Sequence, residues 1–215
     1  MTLTLVIETS SNISSVAIGQ GEDVLFDSDS EFGQQKYVEV SLLVEHGLAQ
    51  VGKSMGDVEA IAVDSGPGRL MSIRNGISFA NALAFASSTD LYAFYSFDLM
   101  GFEAWPTVQV PVICTAKGSE GNAYVCLYTK DNGYKAKFGP LEATVQTLTA
   151  GLSEFAVAGE YRDAVTQFVT DAQVHDSKIQ FPKASTFFKL DSPLTDLKFL
   201  KRPVVAPVNE QSFID

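Results

Sequence analysis

Leu3-Thr4-Leu5-Val6-Ile7-Glu8-Thr9-Ser10 is an apolar run that stops abruptly on an acid and two hydroxyls. The run predicts a buried strand, and two more short runs, Ser15–Ile18 and Val24–Phe26, follow after polar breaks. Asn12 and Gly19-Gln20-Gly21 supply turn residues between them, so the three strands should form an antiparallel meander. The apolar period then changes. From Gln35 to Val51 it falls on Tyr37, Val40, Val44, Leu48 and Val51, with a second stripe at Val38, Leu42 and Ala49. That spacing predicts a helix, stopped at Gly52. Ala60–Val63 reads as a buried strand, Asp64-Ser65-Gly66-Pro67-Gly68 as a loop, Arg69–Ser87 as a second helix and Leu91–Tyr95 as a strand. The order β-β-β-α-β-α-β predicts an α/β lobe built on a mixed sheet with helices on its faces.

Past Trp105 the pattern weakens. Val108–Cys114 and Ala123–Thr129 read as paired strands, Leu141–Leu152 as a helix, Phe155–Ala158 as a strand and Tyr161–Ala172 as a further helix. From Ser177 onward, Pro182, Pro193, Pro203 and Pro207 predict loops and short pieces. These elements divide the chain into an N-terminal lobe over 1–102 and a C-terminal one over 103–215.

The 215 residues are 46% hydrophobic, enough apolar surface to exclude a disordered chain. Asp and Glu number 26 against 15 Lys and Arg, a formal charge of −11 that argues against holding nucleic acid alone. The longest uncharged run, Asn75–Thr89, is too short to span a bilayer. Met1-Thr2-Leu3 lacks a basic leader, and the expectation is a cytoplasmic protein with no membrane partner. Cys114 and Cys126 would face each other if Gly118–Gly121 makes a hairpin turn; two buried thiols are the simpler reading, a cross-strand disulfide the other. His46 and His175 lie far from them and from each other, without the paired spacing of a metal site.

With Ile7-Glu8-Thr9-Ser10 closing the first strand, and Gly66, Pro67, Gly68, Arg74 and Gly76 opening the second helix, the sequence resembles the bacterial TsaB (YeaZ) family of the actin-like superfamily. Tyr124 and Gly159-Glu160 also fit, and the likeness covers roughly residues 1–130 well. Glu8 departs from the family's Asp, Arg69-Leu70-Met71-Ser72 from its Ser-Phe-Thr-Gly, and Thr115-Ala116-Lys117 from an Asp-Ala-Arg. The resemblance implies a two-lobe actin-like fold. It also implies a non-catalytic partner of a TsaD-type subunit in making threonylcarbamoyladenosine in tRNA, joined by a TsaE-type ATPase. Such a chain would form a homodimer without its partner and meet tRNA only through the complex.

The resemblance makes Glu8, Thr9, Ser10, Gly66 and Gly68 remnants of phosphate loops, with ATP or ADP bound only at a shared interface and no cofactor otherwise. A tight turn whose hydroxyls satisfy its own backbone is the other reading of Glu8–Ser10, and a sharp strand-to-helix turn that of Gly66–Gly68. Two apolar stripes on the first helix and a nearly uncharged second helix leave surface for another chain. Tyr37, Val40, Val44, Leu48, Arg74, Ile77 and Ala80 are its expected contacts. Arg74, alone among apolar residues, could instead pair with Glu8 or Asp64. Neither a metal site nor a catalytic residue is expected. The two histidines that a TsaD-type enzyme carries four apart are missing, Lys36-Tyr37-Val38-Glu39-Val40 standing in their place. No His-Glu-x-x-His or Ser-His-Asp set suggests a protease. A small-molecule kinase of the same superfamily and a homodimeric regulatory module are the alternatives.

Overall fold

The run from Leu3 becomes β1 (Leu3–Glu8), all six residues of which are buried in a computed structural model that describes residues 1–33, 38–130 and 133–190. Burial on both faces explains why the strand is apolar throughout rather than alternating. β1 pairs antiparallel with β2 (Ser15–Gln20) and parallel with β4 (Ala60–Asp64). With β3 (Asp23–Asp27) and β5 (Asp90–Phe94) they form a sheet of order β3-β2-β1-β4-β5. A short α1 (Ser28–Phe32) follows the meander, its first turn capped by Asp27. Leu3, Leu5 and Ile7 point to one side, where they meet α2 (Val40–Gln50) and α3 (Leu70–Ser87). Val6 and Ala17 point to the other, where they meet Phe94, Leu99, Phe187 and Phe188.

A second sheet, of order β10-β9-β6-β7-β8, comprises β6 (Val112–Lys117), β7 (Asn122–Thr129), β8 (Gly133–Pro140), β9 (Glu154–Gly159) and β10 (Gln173–Asp176). One face packs on α4 (Ser96–Val108) through Phe97, Met100 and Ala104. The other packs on α5 (Leu141–Thr149) and α6 (Arg162–Phe168) through Val145, Leu148 and Val165. Cys114 and Cys126 do oppose each other across β6 and β7, as two buried free thiols.

The α/β architecture on mixed sheets is therefore the one expected, with differences in detail. α2 begins at Val40 rather than Gln35, and Tyr37 lies outside the described residues. Residue 102 falls inside α4, a helix that packs chiefly on the second sheet. The stretch after Ser177 is not confined to the second lobe either. A 3-10 turn, Ala184–Lys189, returns to the first sheet and buries Phe187 and Phe188 there.

Candidate functional site

β1 and β4 run side by side in parallel with Ile7 opposite Val63, so the next residues, Glu8 and Asp64, end the two strands as neighbours. Both are fully buried. Glu8 Oε1 accepts from the Ser10 backbone N–H at 2.6 Å and from the Ser10 hydroxyl. Asp64 Oδ1 accepts from the Gly66 N–H at 2.7 Å. The remaining oxygens, Glu8 Oε2 and Asp64 Oδ2, have no donor, while the two carboxyls lie within hydrogen-bonding reach of each other. A proton held between them would satisfy both. Burial, reinforced by the Asp64 charge, raises Glu8 well above the usual carboxylate range, and burial pushes Asp64 up to about 7. The pair is thus an acid pocket closed by its own turns.

Gly66–Gly68 serves close approach. At Gly68 a Cβ would run into the carbonyl of Ser10, and the following Arg69 N–H donates to that same carbonyl at 2.7 Å. Ser96 secures the loop from the start of α4, its N–H donating to Gly66 O at 3.1 Å and its hydroxyl to Pro67 O at 2.8 Å. Thr9 lies against α3 at Gly76, where a Cβ would strike its hydroxyl, and Thr9 Oγ1 has no hydrogen-bond partner. Gly76 therefore admits the β1 loop; it does not open α3 to another helix. A pocket of about 290 Å³ lies beyond Thr9, lined by Ser11, Asn12, Ser41, Ser72 and Ser78 among others.

The loop after β4 also reaches the second sheet. Arg69 makes a two-pronged contact to Glu160 Oε1, at 3.2 Å from Nε and 2.7 Å from Nη2. Glu160 Oε2 accepts from the Lys117 N–H at 3.1 Å. In the sequence Arg69 stands out only as a departure from the family pattern and Glu160 only as a match to it; the lone cation in a glycine loop is the signal for a fixed partner. Arg74 does not join the acid pair. It is exposed on the outer face of α3.

Of the expected contact residues, Val44, Leu48, Ile77 and Ala80 face the chain's own first sheet and are buried in its core. Their period marked the inward stripe, so they are corrected from contact residues to core residues. Val40 is half-buried, and the outward apolar side chains are Leu42, Leu70, Met71 and Phe85, the last 90% exposed. Metal chemistry finds no donor set: among the described residues no three His, Cys, Asp or Glu converge. His46 lies 2.6 Å from Glu31 and His175 2.7 Å from Glu154. These residues do not fit the histidine-held metal of a TsaD-type enzyme. No described helix is long and apolar enough to cross a membrane.

The family model described as "TsaD: tRNA N6-adenosine threonylcarbamoyltransferase" matches residues 34–184. The chain belongs to the TsaD family. Enzymes named tRNA N6-adenosine threonylcarbamoyltransferase are similar to parts of this TsaD-family chain. That of Thermus thermophilus is 31% identical over 84 residues, 39% of this chain and 26% of its own length. That of Staphylococcus haemolyticus is 37% identical over 101 residues, 40% of this chain and 30% of its own. The match thus spans about a quarter to a third of these curated relatives. In fold the chain is YeaZ-like: YeaZ from Pseudomonas aeruginosa superposes with a TM-score of 0.77 at 19% identity, covering 97% of this chain and 100% of that one. A second Pseudomonas aeruginosa structure, a protein "with similarity to peptidase YEAZ", gives 0.78 at 18% identity over 97% of this chain and 99% of that one.

Proposed function

We propose that this chain is a non-catalytic, cytoplasmic scaffold subunit of the machinery that makes threonylcarbamoyladenosine in tRNA. It pairs with a TsaD-type catalytic subunit through the outer faces of α2 and α3. A TsaE-type ATPase joins the assembly, tRNA is met only through it, and the chain forms a homodimer when the partner is absent.

The observation that carries this reading is the outward face of the two packed helices. Leu42 is 57%, Met71 67% and Phe85 90% exposed, large apolar side chains set on neighbouring helices. Large apolar side chains left exposed on the outer faces of two helices are consistent with a docking surface. The acid pair supports the non-catalytic half of the reading. Glu8 and Asp64 are sealed from solvent, each held by its own turn, whereas a catalytic carboxylate needs to reach a substrate. Any shared-interface nucleotide would meet Thr9, Ser10 and Gly68 only from outside this packed loop.

Co-expression with the TsaD-type protein of the same cell tests the reading. The expected result is a stable complex that Leu42→Glu with Phe85→Glu abolishes while circular dichroism stays native. A wild-type chain that sediments as a monomer, alone and with that protein, overturns it.

A further inference from the structure

We infer that Arg69 and Glu160 form a clasp that holds the two lobes closed against each other. Each half is anchored by backbone to a different sheet. Arg69 is tied to the loop after β1 by its N–H bond to Ser10 O at 2.7 Å, immediately after the close approach at Gly68. Glu160 follows Gly159, where φ is +99° and a Cβ would collide with the carbonyl of Thr115. Its own N–H donates to Thr115 O at 3.2 Å, and the next N–H, of Tyr161, donates to Thr115 Oγ1 at 3.1 Å. Neither residue can therefore shift much on its own lobe; the side chains alone span the gap.

The geometry favours strength over a passing surface pair. Arg69 offers two N–H groups to one oxygen, and the Lys117 N–H takes the other. The side chains are 34% and 14% exposed, so screening by salt is incomplete. Beside the clasp lies a pocket of about 260 Å³ between Gly68–Met71 and Lys117–Ser119. Opening the clasp would widen that pocket and leave the Arg69 and Lys117 charges facing it together. Glu160 therefore neutralises, from within the chain, a cationic cleft on a protein whose overall charge is −11. The clasp is independent of whether α2 and α3 dock a partner, and its test leaves that surface untouched apart from one label.

The test is a distance between the lobes in the full chain. Asn75 on α3 and Thr147 on α5 are exposed, while both native cysteines are buried, so spin labels can be placed at Asn75→Cys and Thr147→Cys. Pulsed electron-spin measurements should give one narrow distance distribution in the otherwise native chain. Glu160→Gln and, separately, Arg69→Gln should enlarge a second, shifted population roughly tenfold, the effect of losing one charge-assisted contact. Glu160→Gln keeps an acceptor for Lys117, so a folded protein is expected; thermal melting checks it, and Arg69→Gln is the second variant. The swap Arg69→Glu with Glu160→Arg should restore the narrow distribution. Unchanged distances in both single variants, or a swap as open as they are, overturns the clasp.

Discussion

Glu8 and Asp64 end neighbouring parallel strands in the interior of the first lobe, both fully buried and each with one carboxyl oxygen that no donor reaches. A sequence reader expects such acids to face ligand or solvent. Here the parallel register of β1 and β4 brings them together, and the turns at Ser10 and Gly66 hold their outer oxygens.

Stability should therefore fall as pH rises through neutrality. The folded pKa of each acid is raised, Asp64 to about 7, so the folded chain holds more protons than the unfolded one above about pH 4. Burial also lifts Asp29 to about 6, which acts in the same sense. The stabilisation is complete below the unfolded values and is lost as pH climbs through these folded ones. Melting curves should show the midpoint dropping between about pH 5 and 8, at up to about 1.4 kcal/mol per pH unit for each proton released. Asp64→Asn keeps an oxygen for Gly66 and offers an amide to Glu8, so it should flatten that slope. A variant with the native slope would refute the shared proton.

Charge placed on the two sides of α2 and α3 should have opposite consequences. Val44→Glu or Ala80→Glu buries a carboxylate in the first core and should unfold the lobe, costing about 3 kcal/mol or more. Leu42→Glu or Phe85→Glu should alter melting by less than about 0.5 kcal/mol and act only on association, read by sedimentation.

Gly76→Ala should destabilise, against the helix rule. An interior glycine replaced by alanine ordinarily gains about 1 kcal/mol, but here the new methyl meets the Thr9 hydroxyl. A loss of about 1–3 kcal/mol by denaturant titration is expected, partly recovered when Thr9→Ala is added. A gain would show that the β1 loop yields easily.

The thiols of Cys114 and Cys126 should resist alkylation in the folded state. Burial pushes both well above the usual thiol range, which suppresses the reactive thiolate. Reaction with a thiol reagent at about pH 8 should proceed at the rate of unfolding, and a fast burst from either cysteine would contradict the burial.

The first lobe was legible because its strands are uniformly apolar and its helices long and periodic. Asn12, Gly52 and Gly66–Gly68 punctuated them at the right places. The direction each helix faces was not legible: the stripe of Val44, Leu48, Ile77 and Ala80 reports burial but not against what. α4 escaped notice because Phe97, Met100, Phe102 and Trp105 crowd a helix carrying Gly101 and Pro106, and seven of its residues are buried between the sheets. β8 and β10 are edge strands, one ending in Pro140 and one only four residues long, with too little pattern to read. The acid pair and the Arg69–Glu160 contact depend on register and on lobe packing, neither of which spacing encodes.

The returning turn at Ala184–Lys189 bears on how the molecule is made. Ala184 N–H donates to Ser15 Oγ at 2.8 Å, and Phe187 and Phe188 cover Val6 and Ala17, residues synthesised about 170 positions earlier. A ribosome releasing the first five strands has delivered only part of what that sheet needs, since one of its faces is only partly covered, by Phe94 and Leu99, until Phe187 and Phe188 have been translated. Completion of the N-terminal half thus waits on residues 184–189, translated after the second sheet, which ties the assembly of both halves into a single late event.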